Sequence, residues 1–212
     1  MDKNKFYTYG IWATALTLLG IGVYLLTKKR KKKVDCTSRM LFLGSSGTVS
    51  PSSYADQLKD NCPDLNYKKI AMVGAKTDWM LNQLKQDTGK YDVITLLGGV
   101  NDIYAGVPLE KIKNNIQAIY DLAKERGAKV VAVTISPTAT YNKATDKANK
   151  LTQELNDWIR SNKTADFFVD ADKVWNDGRG GTKSEYLSAD TLHINKSGHT
   201  ALTNKYRQLV FS

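Results

Sequence analysis

Ser46 and the pair Asp190 and His193, near opposite ends of the apolar part of the chain, are of the types that could do chemistry together. Ser46 closes Gly44-Ser45-Ser46 after the first hydrophobic run, and Asp190-Thr191-Leu192-His193 lies close to the C-terminus. A serine hydroxyl is a poor nucleophile at neutral pH, so it needs a base to take its proton, and His193 is the candidate. A carboxylate beside that base holds the imidazole in one tautomer and stabilises the imidazolium as it forms, a role open to Asp190. Each residue also has a plainer use. Ser46 could serve only as a turn or N-cap residue, Ser45 competes with it as nucleophile, and Asp190 and His193 could form a purely structural pair. The other histidine, His199 in Lys196-Ser197-Gly198-His199, is expected to pack or cap at the start of the last helix.

These residues can act together only if the elements around them bring them to one place. Met40-Leu41-Phe42-Leu43, Ile70-Ala71-Met72-Val73, Val93-Ile94-Thr95-Leu96-Leu97, Val130 to Ile135 and Phe167-Phe168-Val169 are short apolar runs bounded by Gly, Pro or charged residues. They read as buried parallel strands. Helical patterns alternate with them over 53–59, 77–86, 109–126, 142–161 and 197–209. The third ends on Arg126-Gly127, a cationic last turn before a favourable C-cap residue. Strict alternation predicts a three-layer α/β/α, flavodoxin-like domain of about five parallel strands with right-handed crossovers. Ligands of such a sheet bind outside the carboxyl ends of the strands, which directs attention to residues 44–48, 74–77 and 98–102.

In that order and at those strand ends, Gly44-x-Ser46, Gly74, Gly99-x-Asn101-Asp102 and Asp190-x-x-His193 resemble the four blocks of the SGNH/GDSL hydrolase superfamily, the GDSL-like lipases and acylhydrolases, over about residues 39–212. The resemblance implies a catalytic set of Ser46, Asp190 and His193, and an oxyanion hole made by the backbone N–H groups of Ser46 and Gly74 and the side-chain amide of Asn101. It makes Asp102 an organiser of its loop rather than a reactant. Ser45 stands where the family usually has aspartate. The family's substrates include acyl esters, thioesters, lysophospholipids and O-acetyl groups on sugars. The expected activity is therefore hydrolysis of carboxylic esters on a lipid, acyl or O-acetylated glycan substrate. No cofactor is called for, and no cysteine–histidine spacing suggests a metal such as zinc. Tyr104, Tyr141, Trp175 and Tyr186 fall in or near loops on the same face and carry no assigned role.

The N-terminal arm reads differently. After a short tail over 1–5, residues 6–27 carry no charge over a length sufficient, at about 1.5 Å per residue, to cross a hydrocarbon core of about 30 Å. A single transmembrane helix is expected there, followed by a basic juxtamembrane linker over 28–38 and the main domain over 39–212. Of the formal net charge of +10, +7 lies in residues 1–33, so the basic balance belongs to the arm and is not a nucleic-acid signature of the domain. Residues 28–33 could meet anionic headgroups, and the positive-inside rule puts the domain on the cytoplasmic, inner side. Cys36 and Cys62 could pair if close and in an oxidising compartment. The alternative function is a weak or inactive membrane-anchored attachment protein, viral or envelope, that uses the basic arm.

Overall fold

The computed structural model describes residues 33–137 and 146–211. The transmembrane segment expected at 6–27, the basic run up to Lys32, Tyr141 and the first residues of the helix expected at 142–161 lie outside them. Among the described residues no helix is long and apolar enough to cross a membrane.

Five strands, β1 (Arg39–Gly44), β2 (Asn66–Ala71), β3 (Val93–Leu97), β4 (Lys129–Val133) and β5 (Phe167–Val169), form one sheet. Its order is β2-β1-β3-β4-β5 and every pairing is parallel. β1, β3 and β4 lie inside the sheet and are buried almost throughout, which is why they are continuous apolar runs rather than alternating ones. The eight helices are α1 (Ser46–Val49), α2 (Tyr54–Asn61), α3 (Thr77–Gln86), α4 (Val100–Tyr104), α5 (Leu109–Glu125), α6 (Asp146–Ser161), α7 (Ala171–Trp175) and α8 (Lys196–Val210), among the described residues. They pack as two groups, α3 with α5 and α6, and α2 and α7 with α8. Right-handed crossovers from a sheet of this order divide the helices in the same way between two faces.

The second strand corrects the sequence reading. The apolar run Ile70-Ala71-Met72-Val73 is not the strand; pairing with β1 sets Arg39 opposite Asn66 and Gly44 opposite Ala71. Met72 and Val73 therefore extend past the sheet and are exposed. An edge strand has one partner, so it can include Asn66, Lys68 and Lys69, and an apolar run is a poor guide to its limits. Lys69 pairs with Asp56 at 2.8 Å, and Asp56 also closes a capping box with Ser53 at the start of α2. β4 likewise ends at Val133 rather than Ile135. α5 ends at Glu125, so the C-cap is Arg126, one residue earlier than expected, and Gly127 follows it with φ 79°. The short helices α1, α4 and α7 were not foreseen.

Cys36, ahead of β1, and Cys62, at the end of α2, are joined by a disulfide with Cα atoms 5.1 Å apart. The bond closes a loop across 26 residues of sequence, enough to remove on the order of 3 kcal/mol of loop entropy from the unfolded chain. Cys62→Ser should lower the unfolding free energy in urea by about that amount relative to the oxidised protein, with little effect on the reduced one.

Candidate active site

The carboxyl ends of β1, β3 and β4 border one cavity of about 140 Å³. β1 ends on Gly44, opposite Leu97 of β3, and the chain turns at once into α1. A Cβ on Gly44 would run into the Thr48 hydroxyl and come within 3.0 Å of the Leu97 carbonyl oxygen, so only glycine lets α1 lie this close to the sheet edge. Ser45 occupies the N-cap position, and its carbonyl accepts the N–H groups of Thr48 at 2.9 Å and Val49 at 3.0 Å. Ser46 and Gly47, at the head of the turn, line the cavity.

On the other side of the switch point, Gly99 precedes α4 with φ 120°, and a Cβ there would lie 2.8 Å from the Leu155 side chain. This turn carries Asn101 into the cavity lining. Asn101 Nδ2 donates to the Ala75 carbonyl at 3.0 Å, and an amide nitrogen has a second hydrogen to offer. Asp102 is buried beside it and accepts the Thr77 N–H at 3.0 Å and the Thr77 hydroxyl at 2.6 Å. Asn115 Nδ2 from α5 donates to the same hydroxyl at 3.0 Å. The loops after β2 and β3 are thereby tied together, as expected of a loop organiser. Burial pushes the Asp102 carboxyl up, against the Thr77 hydrogen bonds.

Asp190 and His193 meet in a tight turn with Thr191 in the left-handed region at φ 56°. His193 Nδ1 lies 2.7 Å from Asp190 Oδ2, while Asp190 Oδ1 accepts the N–H groups of Leu192 at 2.9 Å and His193 at 3.0 Å. The His193 N–H, the imidazole and the Leu192 N–H together hold the Asp190 carboxyl far below the usual carboxylate range. With Nδ1 engaged, Nε2 is the nitrogen left for a hydroxyl. His193 lines the same cavity as Ser46 and Asn101. No hydrogen bond joins the Ser46 and His193 side chains among the described residues. Gly74 stands apart: it has φ 74° in the loop after β2 and is not part of the cavity lining.

Other walls of the cavity were not singled out from sequence. Ser136 and Pro137 follow β4, and Leu97, Val100 and Ile194 add apolar surface; the strand-end rule that led to Ser46 and Asn101 would have found Ser136 and Pro137 had it been carried to the fourth strand. Tyr104 and Trp175 line the cavity, whereas Tyr186 packs against Gly198. His199 packs as expected, between Tyr54 and Trp175, while Asn195 caps α8 by accepting the Gly198 N–H.

A family model described as the GDSL-like Lipase/Acylhydrolase family matches residues 37–201. Among solved structures, a GDSL-like lipase from Bacteroides thetaiotaomicron VPI-5482 is similar with a TM-score of 0.67 and 19% identity, covering 80% of this chain and 86% of that one. The acetyl xylan esterase AlAXEase is similar with a TM-score of 0.65 and 18% identity over 80% and 98% of the two chains. The psychrotrophic esterase EstA from Pseudoalteromonas sp., in a structure inhibited by monoethylphosphonate, has a TM-score of 0.63 and 18% identity over 80% and 94%. The N-acylneuraminate cytidylyltransferase of Escherichia coli O18:K1:H7 (strain RS218 / NMEC) is 24% identical over 190 residues, 86% of this chain and 42% of that protein, so the chain spans less than half the length of this curated relative.

Two measurements follow from the buried groups. Asp102→Ala leaves the Thr77 N–H without its acceptor and should cost roughly 1–3 kcal/mol of stability in urea unfolding. Burial pushes the His199 imidazole down to about 4, against the opposing pull of Asp56. As pH falls from about 6.5 toward 4, the unfolded chain takes up a proton at this position that the folded one does not, so stability falls by roughly 3 kcal/mol across that window and is unaffected above it. His199→Gln should flatten the acid side of the stability curve between those pH values.

Proposed function

The chain belongs to the GDSL-like lipase/acylhydrolase family and is a carboxylic ester hydrolase; on that premise we propose that Ser46 is its nucleophile, His193 its general base and Asp190 the carboxylate that orients the base. The reading rests on one observation: Ser46 and a histidine already bonded to a carboxylate border one cavity at the carboxyl edge of the sheet. Ser46 Oγ attacks the ester carbonyl carbon as His193 Nε2 takes its proton, and Asp190 stabilises the resulting imidazolium. The oxyanion is met by the backbone N–H of Ser46 and the free N–H of the Asn101 amide. Gly74, expected as the third donor of this set, lies outside the cavity lining; it neighbours Ala75, whose carbonyl holds Asn101. Collapse of the intermediate breaks the C–O bond, and His193 returns the proton to the departing alcohol. Water then enters, gives a proton to His193 and attacks the acyl carbon, releasing the acid and restoring Ser46.

The small cavity and its apolar walls, Leu97, Val100, Ile135 and Pro137, favour a short acyl group, with the alcohol portion outside. An acetyl group on a glycan or a short acyl group on a lipid fits this description, and the likeness to an acetyl xylan esterase is in keeping with the former. In this proposal residues 6–27 anchor the enzyme in a membrane and residues 28–33 meet anionic headgroups, with the domain on the inner side by charge. The Cys36–Cys62 disulfide favours the opposite side, an oxidising compartment, and protease protection of the domain in sealed vesicles separates the two.

Chromogenic acetyl and long-chain acyl esters test the reaction. The protein should prefer the acetyl ester; Ser46→Ala and His193→Ala should each lose about 10⁴-fold or more in kcat, and Asn101→Ala roughly 100- to 1000-fold. Hydrolysis at equal rates by wild type and the two triad variants would remove the proposed catalytic set.

A further inference from the structure

Behind the Ser46 turn lies a polar patch that takes no part in the proposed reaction. Four side-chain atoms there are buried without a hydrogen-bond partner: Thr48 Oγ1, Tyr54 Oη and both ring nitrogens of His199. The three residues adjoin one another and the turn. The Tyr54 and His199 rings are stacked with centroids 6.5 Å apart. The Thr48 hydroxyl lies near enough to the Tyr54 phenol to oppose the upward push of burial on it, though their geometry is not that of a formed hydrogen bond. His199 Cε1 is the neighbour of Gly47, 4.0 Å from where a Cβ would stand.

His199 is 2% exposed and lines the cavity that Ser46 and His193 share. Trp175 meets its ring edge-on but sends its own indole N–H to the Gly198 carbonyl at 2.8 Å, so it leaves the imidazole nitrogens unserved. Kept neutral by burial, the ring has one donor and one acceptor to satisfy. Packing alone asks for a phenyl ring here, whereas a native interior seldom leaves such a group without a polar partner. Ordered water is the partner of the right size and hydrogen-bonding capacity for several buried polar atoms close together.

We infer that His199 is a positioning residue for the nucleophile: with Thr48 and Tyr54 it holds buried water, and this hydrogen-bonded seat fixes the Ser46-Gly47 turn in its attacking geometry. The inference rests on the reading of Ser46 as nucleophile. His199 exchanges no proton with the substrate; it acts on where Ser46 Oγ stands. Displacement of a reacting atom by about 1 Å can cost on the order of 100-fold in rate, and such a loss falls on kcat rather than on ground-state binding.

Steady-state kinetics of the full-length protein on a chromogenic acetyl ester, with melting temperatures alongside, test it. His199→Phe keeps the ring and removes the nitrogens; it should lower kcat roughly 10- to 100-fold with KM nearly unchanged, and His199→Gln should recover most of the loss. Thr48→Val and Tyr54→Phe each delete one polar atom of the seat and should lower kcat several-fold, which decides the matter if His199→Phe does not fold. Wild-type kcat in the folded variants, equal losses in His199→Phe and His199→Gln, or a change confined to KM would each overturn the inference. Ser46→Ala separates the two layers: if it is inactive while the seat variants keep wild-type kcat, this inference alone falls, and if it is fully active the nucleophile reading falls and takes this one with it.

Discussion

The parallel pairing of β1 with β3, which sets Gly44 beside Leu97, is the constraint on which the rest of the site depends. With both strands running the same way, the chain leaves each at the same edge, and because β1 connects outward to β2 while β3 leads to β4, a crevice opens between their exits. Ser46 stands on one side of it and Asn101 on the other. The absence of a side chain at Gly44 then lets α1 settle against the end of β3. A larger residue would push the Ser46 turn off the sheet.

Around that crevice the polar groups divide by burial. Asp190 and His193 are both roughly half exposed, so their bond is open to solvent. The carboxylates that hold the scaffold, Asp102, Asp170 and Asp172, are buried. Asp102 fastens the β2 and β3 loops through Thr77. Arg160 on α6 reaches Asp170 at 3.0 Å and Asp172 at 2.6 Å, and Thr134 at the end of β4 donates to Asp170 and accepts the Asp172 N–H. Burial pushes the Asp170 carboxyl up, but the hydrogen bonds from Arg160, the Lys173 N–H and the Thr134 hydroxyl, with the Arg160 charge, together hold it below its ordinary value. This network starts α7 and so sets Trp175 in the cavity wall. An unpaired charge at any of these positions would be strongly destabilising.

Much of this was legible in the chain because the signals are local. Interior strands must be apolar on both faces, so β1, β3 and β4 stood out as runs, and α3 matched its predicted limits at Thr77 and Gln86. β2 did not, since an edge strand is free to carry lysines and its true limits are set by hydrogen bonds to β1 that leave no mark on composition. The short helices α1, α4 and α7 were missed because one turn of helix has no periodicity to read. Ser46, Asn101, Asp190 and His193 were singled out through type and order; Ser46, Asn101 and His193 border one cavity, and Asp190 is bonded to His193 from outside its lining. Gly74 was found in the same way but stands outside that lining. The second histidine shows the limit most clearly: it was expected to pack or cap at the start of the last helix, while its neighbours Tyr54 and Trp175 and the unpartnered state of its nitrogens depend on contacts from α1, α2 and α7 that no sequence spacing encodes.

The central claim is that one serine, Ser46, carries the reaction, and covalent trapping tests it most directly. Incubating the protein with a chromogenic phosphonate ester and mapping the adduct by peptide mass spectrometry should give one phosphonyl group per chain, on Ser46, with loss of esterase activity in step with labelling and protection by an acetyl ester. A label on Ser45, or full inactivation with Ser46 unmodified, would contradict the account.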